Sequence, residues 1–518
     1  MKRLIIVTLA FLLMSVIGFI GCSKEAAPSP ASAPYDDPRE IDTGHVSGKV
    51  YGEPGKEVYV YLGIPYAAPP VGNLRWKPPQ PAAAWSGTRK CTSFCDLCPQ
   101  PFMFGPNLAG TKSDDCLYVN VMTPAKTNAD RMPVMVWLHP GGYLYGTANE
   151  PIFNGIKLPQ YGIVQVNVNH RNGAMGLLAH PLLSQESSEG VSGNYMFLDI
   201  IAALQWVQRN ITAFGGDPDN VTIFGESGGS WKGISLMASP LAKGLFHKVI
   251  GQSGTPTGSY AGAATPLPLQ EMEALGERLF AKLGIDDEAD PLAAARALPW
   301  EEIVEAEMAL GKEIGVTQAM WGVFDLAVDG WFMPDTPLNI FKAGKQQHPV
   351  PFIMGGTLGE ITDKWGDPLG LSPLRMPGIV PDYVTMFKSA KDMGVKSWAY
   401  VFAQVPSKWK EAGMIAPHAL DLMYVFGHIG NPDMWNNMFF MFGATNPNSG
   451  ATIEDLLVSQ SMMRMWTQFA KTGDPNVEGL INWPAYDATT DEYLYIAEPM
   501  EVKSGFSEVG QESRQPVN

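Results

Sequence analysis

The chain has 518 residues, of which 45% are hydrophobic and 17% charged, and its formal net charge is −16. That composition excludes a disordered or fibrous chain and predicts a large globular body able to bury a core. The acidic charge is spread without a long single-sign run, which favours solubility and argues against a phosphate backbone, hence against nucleic acid, as a partner. Dividing the length by ~150 residues suggests about three domains, but α/β folds often exceed that size as one unit, and residues 42–505 read as a single domain with helical insertions.

In chain order, Lys2 and Arg3 come first, followed by an uncharged apolar stretch from Leu4 to Ile20 and then Gly21-Cys22. Such a segment is a targeting signal and stays outside the fold. Phe19-Ile20-Gly21-Cys22 resembles a bacterial lipobox. The resemblance implies that residues 1–21 are a signal peptide of the lipoprotein type, cleaved before Cys22, whose thiol is acylated. An ordinary secretory signal and an uncleaved anchor are the alternatives. Export is expected in each case, either to a lipid-anchored position facing the periplasm or cell surface or as a periplasmic or secreted protein. Residues 22–41, rich in Ala, Pro and Ser, read as a tether too poor in apolar surface to fold, and residues 506–518 as a C-terminal tail.

An exported chain permits disulfides. With Cys22 assigned to lipid, Cys91, Cys95, Cys98 and Cys116 remain, and four cysteines allow three connectivities. The spacing Cys91-x3-Cys95-x2-Cys98 also suits a metal site, which an oxidising compartment disfavours. Further on, Pro133 to Leu138 predicts a strand, Ile163 to Asn167 another, and Asp199 to Asn210 an amphipathic helix. Val221 to Phe224 is a further strand, the stretch from about 258 to 325 is helical, and Val350 to Met354 is a strand ended by Gly355-Gly356. Strands alternating with helices predict an α/β fold with a large, mostly parallel central sheet flanked by helices.

The strand at 221–224 leads into Gly225-Glu226-Ser227-Gly228-Gly229, which reads as a nucleophile elbow. A serine hydroxyl is a poor nucleophile at its own pKa, so it must stand clear of the backbone, beside a base and near donors for an oxyanion. Gly225 and Gly229 lack the Cβ atoms that would collide where strand and helix come together. A chance match in a chain with 54 glycines is the competing reading. Other motifs stand in one order around the elbow: Val60-Tyr61-Leu62-Gly63-Ile64-Pro65-Tyr66-Ala67, Leu74-Arg75-Trp76, Asp115-Cys116-Leu117-Tyr118-Val119-Asn120, Asn194 with Asp199, and Phe214-Gly215-Gly216-Asp217-Pro218. Trp466, Phe469, Gly473-Asp474-Pro475-Asn476 and Trp483-Pro484 continue it. From about residue 42 to 500 the chain resembles the type B carboxylesterases, which implies the α/β-hydrolase fold.

The resemblance implies site residues. Cys98-Pro99-Gln100 and Asp115-Cys116-Leu117-Tyr118 look like the two ends of the family's first disulfide loop, implying a Cys98–Cys116 bridge and leaving Cys91 and Cys95 as a candidate second pair. His139-Pro140-Gly141-Gly142-Tyr143 stands where the family carries its oxyanion loop, with Pro140 in place of the first glycine. Pro140 has no N–H to give. The donors implied are Gly141 and Gly142, joined by Gly228 after the nucleophile. In this fold the order is serine, acid, histidine, which sets aside His45, His139, His170 and His180. His247 is expected to support packing and His348 to lie at the wrong end of a strand. Of the remaining two, Ala416-Pro417-His418-Ala419-Leu420-Asp421 resembles the catalytic-histidine segment, and His428 reads as a surface or core histidine. Glu360 occupies the family's acid position, with Asp363 as nearest rival; Ser253 and Glu226 are expected to support the acid and tune the site.

Two departures lie beside the nucleophile. Gly228 stands where many relatives have alanine, a change expected only to loosen the helix start, and Ser230-Trp231-Lys232 replaces small residues. Trp231 either narrows the site or packs behind it. Met434, Trp435, Met438, Phe439, Phe440, Met441 and Phe442 form a soft cluster suited either to a core or to an acyl or alcohol pocket. The expectation is therefore a serine carboxylesterase acting on a small-molecule ester through an acyl-enzyme, with no metal or cofactor required. A lipase or a specialised aromatic or xenobiotic ester hydrolase is the alternative enzyme. A non-catalytic, cholinesterase-like binding protein is the alternative of another class.

Overall fold

The computed structural model describes residues 38–101, 111–257, 266–315, 322–361, 379–411, 413–435 and 450–510. The expectations at Cys22, Asp363, Met438, Phe439, Phe440, Met441 and Phe442 lie outside them. An 11-stranded sheet runs through the body. Its strands in chain order are β1 (Lys49–Tyr51), β2 (Val58–Pro65), β3 (Tyr118–Thr123), β4 (Met132–Leu138), β5 (Val164–Val168) and β6 (Gly216–Glu226). They continue with β7 (Lys248–Gln252), β8 (Phe352–Thr357), β9 (Ser397–Phe402), β10 (Glu492–Ile496) and β11 (Glu501–Ser504). Across the sheet the order is β11-β10-β9-β8-β7-β6-β4-β5-β3-β2-β1. Every neighbour from β5 through β4 to β10 is parallel, and antiparallel pairs close both edges.

The central strands are buried on both faces, as parallel strands covered by helices must be. Their side chains alternate between two cores. Val134, Val136 and Leu138 of β4 enter one core, while Met135 and Trp137 enter the other. The first core is covered by α1 (Tyr195–Asn210), α2 (Gly228–Ala238), α3 (Leu269–Leu283), α4 (Trp300–Glu313) and α5 (Ile379–Asp392). The second is covered by the short α6 (Asp421–Val425) and the long α7 (Ile453–Thr472). Trp137 sits at the centre of the second core, with the rings of Phe153, Phe224 and Phe426 at 4.9, 4.8 and 5.0 Å. A dense aromatic cluster of this kind immobilises the strand that leads into residues 139–142.

The predicted elements differ from the observed ones mainly at their ends. The predicted helix 199–210 begins at Tyr195, and the strand predicted at 221–224 runs from Gly216 to Glu226. Gly355-Gly356 does not end β8, which continues to Thr357. Glycine is needed at these strand positions because neighbours leave no room for a side chain: a Cβ at Gly355 would lie 2.3 Å from the Tyr400 carbonyl oxygen, and one at Gly356 would lie 2.3 Å from Glu360 Oε1.

Candidate active site

The C-terminal ends of adjacent parallel strands converge on one place, where open α/β sheets hold their ligands. β6 ends at Glu226, α2 begins at Gly228, and Ser227 is the single residue between them, at φ 53° and ψ −121°. A non-glycine residue held there costs on the order of 1–3 kcal/mol, so the surroundings must enforce it. They do so through the backbone. Ser227 N–H donates to the Gln252 carbonyl at the end of β7 (2.8 Å), and Trp231 N–H donates to the Ser227 carbonyl (3.1 Å). The crossing leaves no room for side chains: a Cβ on Gly225 would lie 2.5 Å from the Gly229 carbonyl carbon, and one on Gly229 only 2.0 Å from the Leu138 oxygen.

Glu360 lies in a one-turn helix, Leu358–Ile361, directly after β8. Its Oε1 accepts from the Ser253 hydroxyl and from the Thr357 N–H, both at 2.6 Å. Its Oε2 faces His418 Nδ1. The missing side chain of Gly356 is what makes space for this carboxylate. The two segments are also tied by the Gly359 N–H, which donates to the Ala416 carbonyl at 2.9 Å. Glu360 engages Nδ1, which leaves Nε2 as the ring nitrogen directed at the end of β6. Nε2 lies 3.1 Å from Oε1 of Glu226, the residue preceding Ser227. Ser227 and His418 are each 5% exposed, so both are screened from bulk water.

Electrostatics at this spot are dominated by buried carboxylates around one imidazole. Burial lowers His418, but the charges of Glu226 and Glu360 outweigh it and push His418 up to about 9. Burial holds Glu226 well above the usual carboxylate range, against the pull of His418. The 3.1 Å contact therefore holds a proton on one side or the other. Asp421, three residues beyond His418, is buried and pushed up to about 6 by that burial. Gln252 links it to the elbow. The Gln252 amide donates to Asp421 Oδ2 at 2.6 Å, while its main-chain carbonyl receives Ser227 N–H. Trp466 Nε1 donates to Gln252 Oε1 at 3.3 Å, and Tyr383 bridges the Gly254 N–H and the Gly355 carbonyl. Sequence reasoning missed Gln252, Asp421, Tyr383 and Trp466 in these roles. Their residue types are common, and only the tertiary contacts distinguish them.

The turn after β4 supplies the opposite wall. Gly141 (φ 101°) and Gly142 (φ 61°) occupy the left-handed region that glycine tolerates. Gly142 abuts the start of α2, because a Cβ on Gly228 would lie 2.1 Å from the Gly142 oxygen and 2.6 Å from its nitrogen. Gly228 thus does more than loosen the helix start: alanine does not fit beside this turn without moving it. Trp231 packs behind the turn, 5.5 Å edge-on from Tyr143 within the first core. Trp435 is buried against Trp409, and Met434 packs against the second core.

His247, His348 and His428 are held by backbone groups. His247 Nδ1 accepts the Val221 N–H at 3.1 Å, His348 bonds the Phe246 carbonyl, and His428 Nε2 bonds the Ile152 carbonyl at 2.8 Å. Cys98 and Cys116 form a disulfide, which removes Cys98 from any thiolate metal set. Cys91 and Cys95 are free thiols rather than a second pair. Cys91 lies in the first core, whereas the Cys95 sulfur accepts from the Asn169 amide at 3.1 Å and from the Asn149 amide at 3.8 Å.

Comparison with known proteins shows the family. The carboxylesterase family model matches residues 36–364 and 379–512. Fumonisin B1 esterase of Sphingopyxis macrogoltabida is 33% identical over 502 residues, covering 89% of this chain and 87% of that protein. Para-nitrobenzyl esterase of Bacillus subtilis (strain 168) is 31% identical over 489 residues, covering 87% and 93%. A solved PNB esterase structure superposes with a TM-score of 0.74 at 29% identity, covering 92% of this chain and 99% of that one. With an elbow serine, a carboxylate-bound histidine and a glycine turn on an α/β-hydrolase sheet, the chain belongs to the carboxylesterase family and is a carboxylic ester hydrolase.

Proposed function

We propose that Ser227, His418 and Glu360 form the catalytic triad of a serine carboxylesterase of type B. The reading rests above all on one observation: the imidazole held through Nδ1 by Glu360 presents Nε2 beside the strained elbow, 3.1 Å from the residue preceding Ser227. Ser227 Oγ attacks the ester carbonyl carbon as its proton passes to His418 Nε2, and the carbonyl electron pair moves onto oxygen. Glu360 holds the imidazolium that forms, and Glu226 adds a second negative partner. The oxyanion is received by the N–H groups of Gly141, Gly142 and Gly228. Collapse of the intermediate expels the alcohol, which takes the proton from His418 and leaves an acyl-enzyme. Water then enters by the same route and releases the acid.

Hydrolysis of p-nitrophenyl esters from acetate to palmitate, by protein lacking residues 1–22, tests this assignment with Ser227→Ala alongside. Turnover by the parent that vanishes in the variant supports it, and the preferred chain length separates a carboxylesterase from a lipase. Turnover that survives in Ser227→Ala would overturn it. We further infer from Lys2-Arg3, the apolar run and Gly21-Cys22 that the protein is exported and lipid-anchored through Cys22. Incorporation of a labelled fatty acid into the full chain, abolished by Cys22→Ala, is the expected result; an unlabelled, freely soluble product would refute the anchor.

A further inference from the structure

Two departures from the family pattern, Pro140 and Lys232, are 92 residues apart in sequence and meet in space. Lys232, in the second turn of α2, is fully buried, and its Nζ donates to the His139 carbonyl at 3.1 Å. Among the described residues no carboxylate forms an ion pair with it, and its Nζ also lies 5.9 Å from the centroid of the Tyr143 ring. An amine buried without a counter-ion is costly, and an apolar side chain would be cheaper at a site chosen only for packing. Burial pushes Lys232 down to about 7; as an ammonium or as a neutral amine it still carries N–H donors.

We propose that Lys232 is a positioning residue for the oxyanion turn, compensating for the proline that stands at its entrance. A trans peptide is planar, with its C=O and N–H pointing opposite ways, so whatever holds a carbonyl aims the next N–H. His139 Nδ1 lies 2.9 Å from the Pro140 oxygen, which aims Gly141 N–H. Tyr145 N–H donates to the Gly141 oxygen at 3.2 Å, which aims Gly142 N–H. The peptide before these, His139–Pro140, has no N–H, and no backbone donor to its carbonyl is present among the described residues. Lys232 supplies that donor. With the His139 oxygen held and the proline ring locking φ, a single rotation, Pro140 ψ, remains before Gly141 N–H, and the His139 ring closes it. His139 itself is kept neutral, held well below the ordinary range by burial and by the Lys232 charge, so one ring nitrogen keeps the proton it donates. Its ring is clamped by His170 stacked at 4.2 Å.

This inference rests on the reading of Gly141 and Gly142 as oxyanion donors, and the test separates the two. Ser227 adds to an alkyl trifluoromethyl ketone by forming an Oγ–C bond, while the carbonyl pair becomes an oxyanion and the proton passes to His418. Affinity for that ketone therefore reports the oxyanion site. Lys232→Met is expected to lower kcat and ketone affinity together by ~10–100-fold, less than outright loss of a donor, with KM within about threefold of the parent. Lys232→Gln, which keeps a shorter N–H donor, should recover part of both. A Lys232→Met protein with parental kcat and ketone affinity, or one altered only in Tm or KM, overturns the proposal and leaves the triad reading intact. Should Lys232→Met not fold, Lys232→Gln decides: a parallel loss in kcat and ketone affinity upholds the role, and a change in Tm alone overturns it. If Ser227→Ala retains turnover, the underlying reading fails instead.

Discussion

The two walls of the site are built by different means. On the nucleophile side, Ser227, Gln252 and Glu360 lie at or just beyond the ends of β6, β7 and β8, and the parallel ladder itself places them. On the side of the proposed oxyanion donors, residues 139–146 leave the sheet and are held by side chains: Lys232 and His139 at the entrance, and Gln100 at the exit, where it bonds both the N–H and the carbonyl of Gly146 at 2.9 and 3.1 Å. Gln100 also bonds the carbonyl of Cys98, so the Cys98–Cys116 disulfide is one step from the turn. A ladder is cooperative and tolerates single changes, whereas a turn held by separate side-chain clamps loses a constraint with each clamp removed. The geometry of the second wall should therefore be the more easily disturbed by a single substitution away from the reacting groups.

The largest effect is expected on the first wall, which carries the proposed triad. Glu360→Gln should keep the geometry but favour the wrong tautomer of His418, lowering kcat by about 10⁴-fold in steady-state ester hydrolysis. A loss below tenfold would pass the acid role to another carboxylate near His418. On the second wall, Gly228→Ala should lower kcat by ~10²-fold with Tm changed little, because the added methyl meets the Gly142 backbone and displaces a donor. An unaffected kcat would show the turn to be more yielding than its clamps suggest.

Replacing Cys98 and Cys116 together by serine opens a loop with a sequence separation of 18, and should cost about 3 kcal/mol in denaturant unfolding. If Gln100 transmits the constraint, kcat falls as well; unchanged kcat in the folded double variant would uncouple the disulfide from the turn. The smallest change is in pH dependence. His418 must be neutral to act as base, and neighbouring carboxylates push it up to about 9, so kcat/KM should climb through the alkaline range. Glu226→Gln removes one of those charges, lowers His418 and moves the rising limb to lower pH. An unmoved midpoint would mean that Glu226 carries the proton in the parent enzyme.

Much of the first wall was legible in the chain. The glycines of Gly225 to Gly229 mark a strand-to-helix reversal within five residues, and the order of serine, acid and histidine narrows eight histidines to a few. The ends of β8 and α1 were not legible, because their boundaries depend on neighbours. Gly355 and Gly356 look like a stop signal until Tyr400 and Glu360 are seen to press on them. Gln252 and Asp421 were invisible for a related reason: an amide and a carboxylate have no pattern of their own, and acquire a role only when β7 and α6 bring them within 2.6 Å.

By itself, then, the sequence determined what is local or periodic. That includes the apolar runs that become buried strands, the glycine elbow, and the set of groups able to carry acyl transfer. Tertiary structure alone decided which groups meet and how each carbonyl is held. Those contacts cross 58 residues between Glu360 and His418 and 93 between His139 and Lys232, and they form only when the packed sheet brings distant segments together. Burial at those meeting points then sets the protonation of Glu226, Lys232 and Asp421, a property that the isolated side chains do not possess.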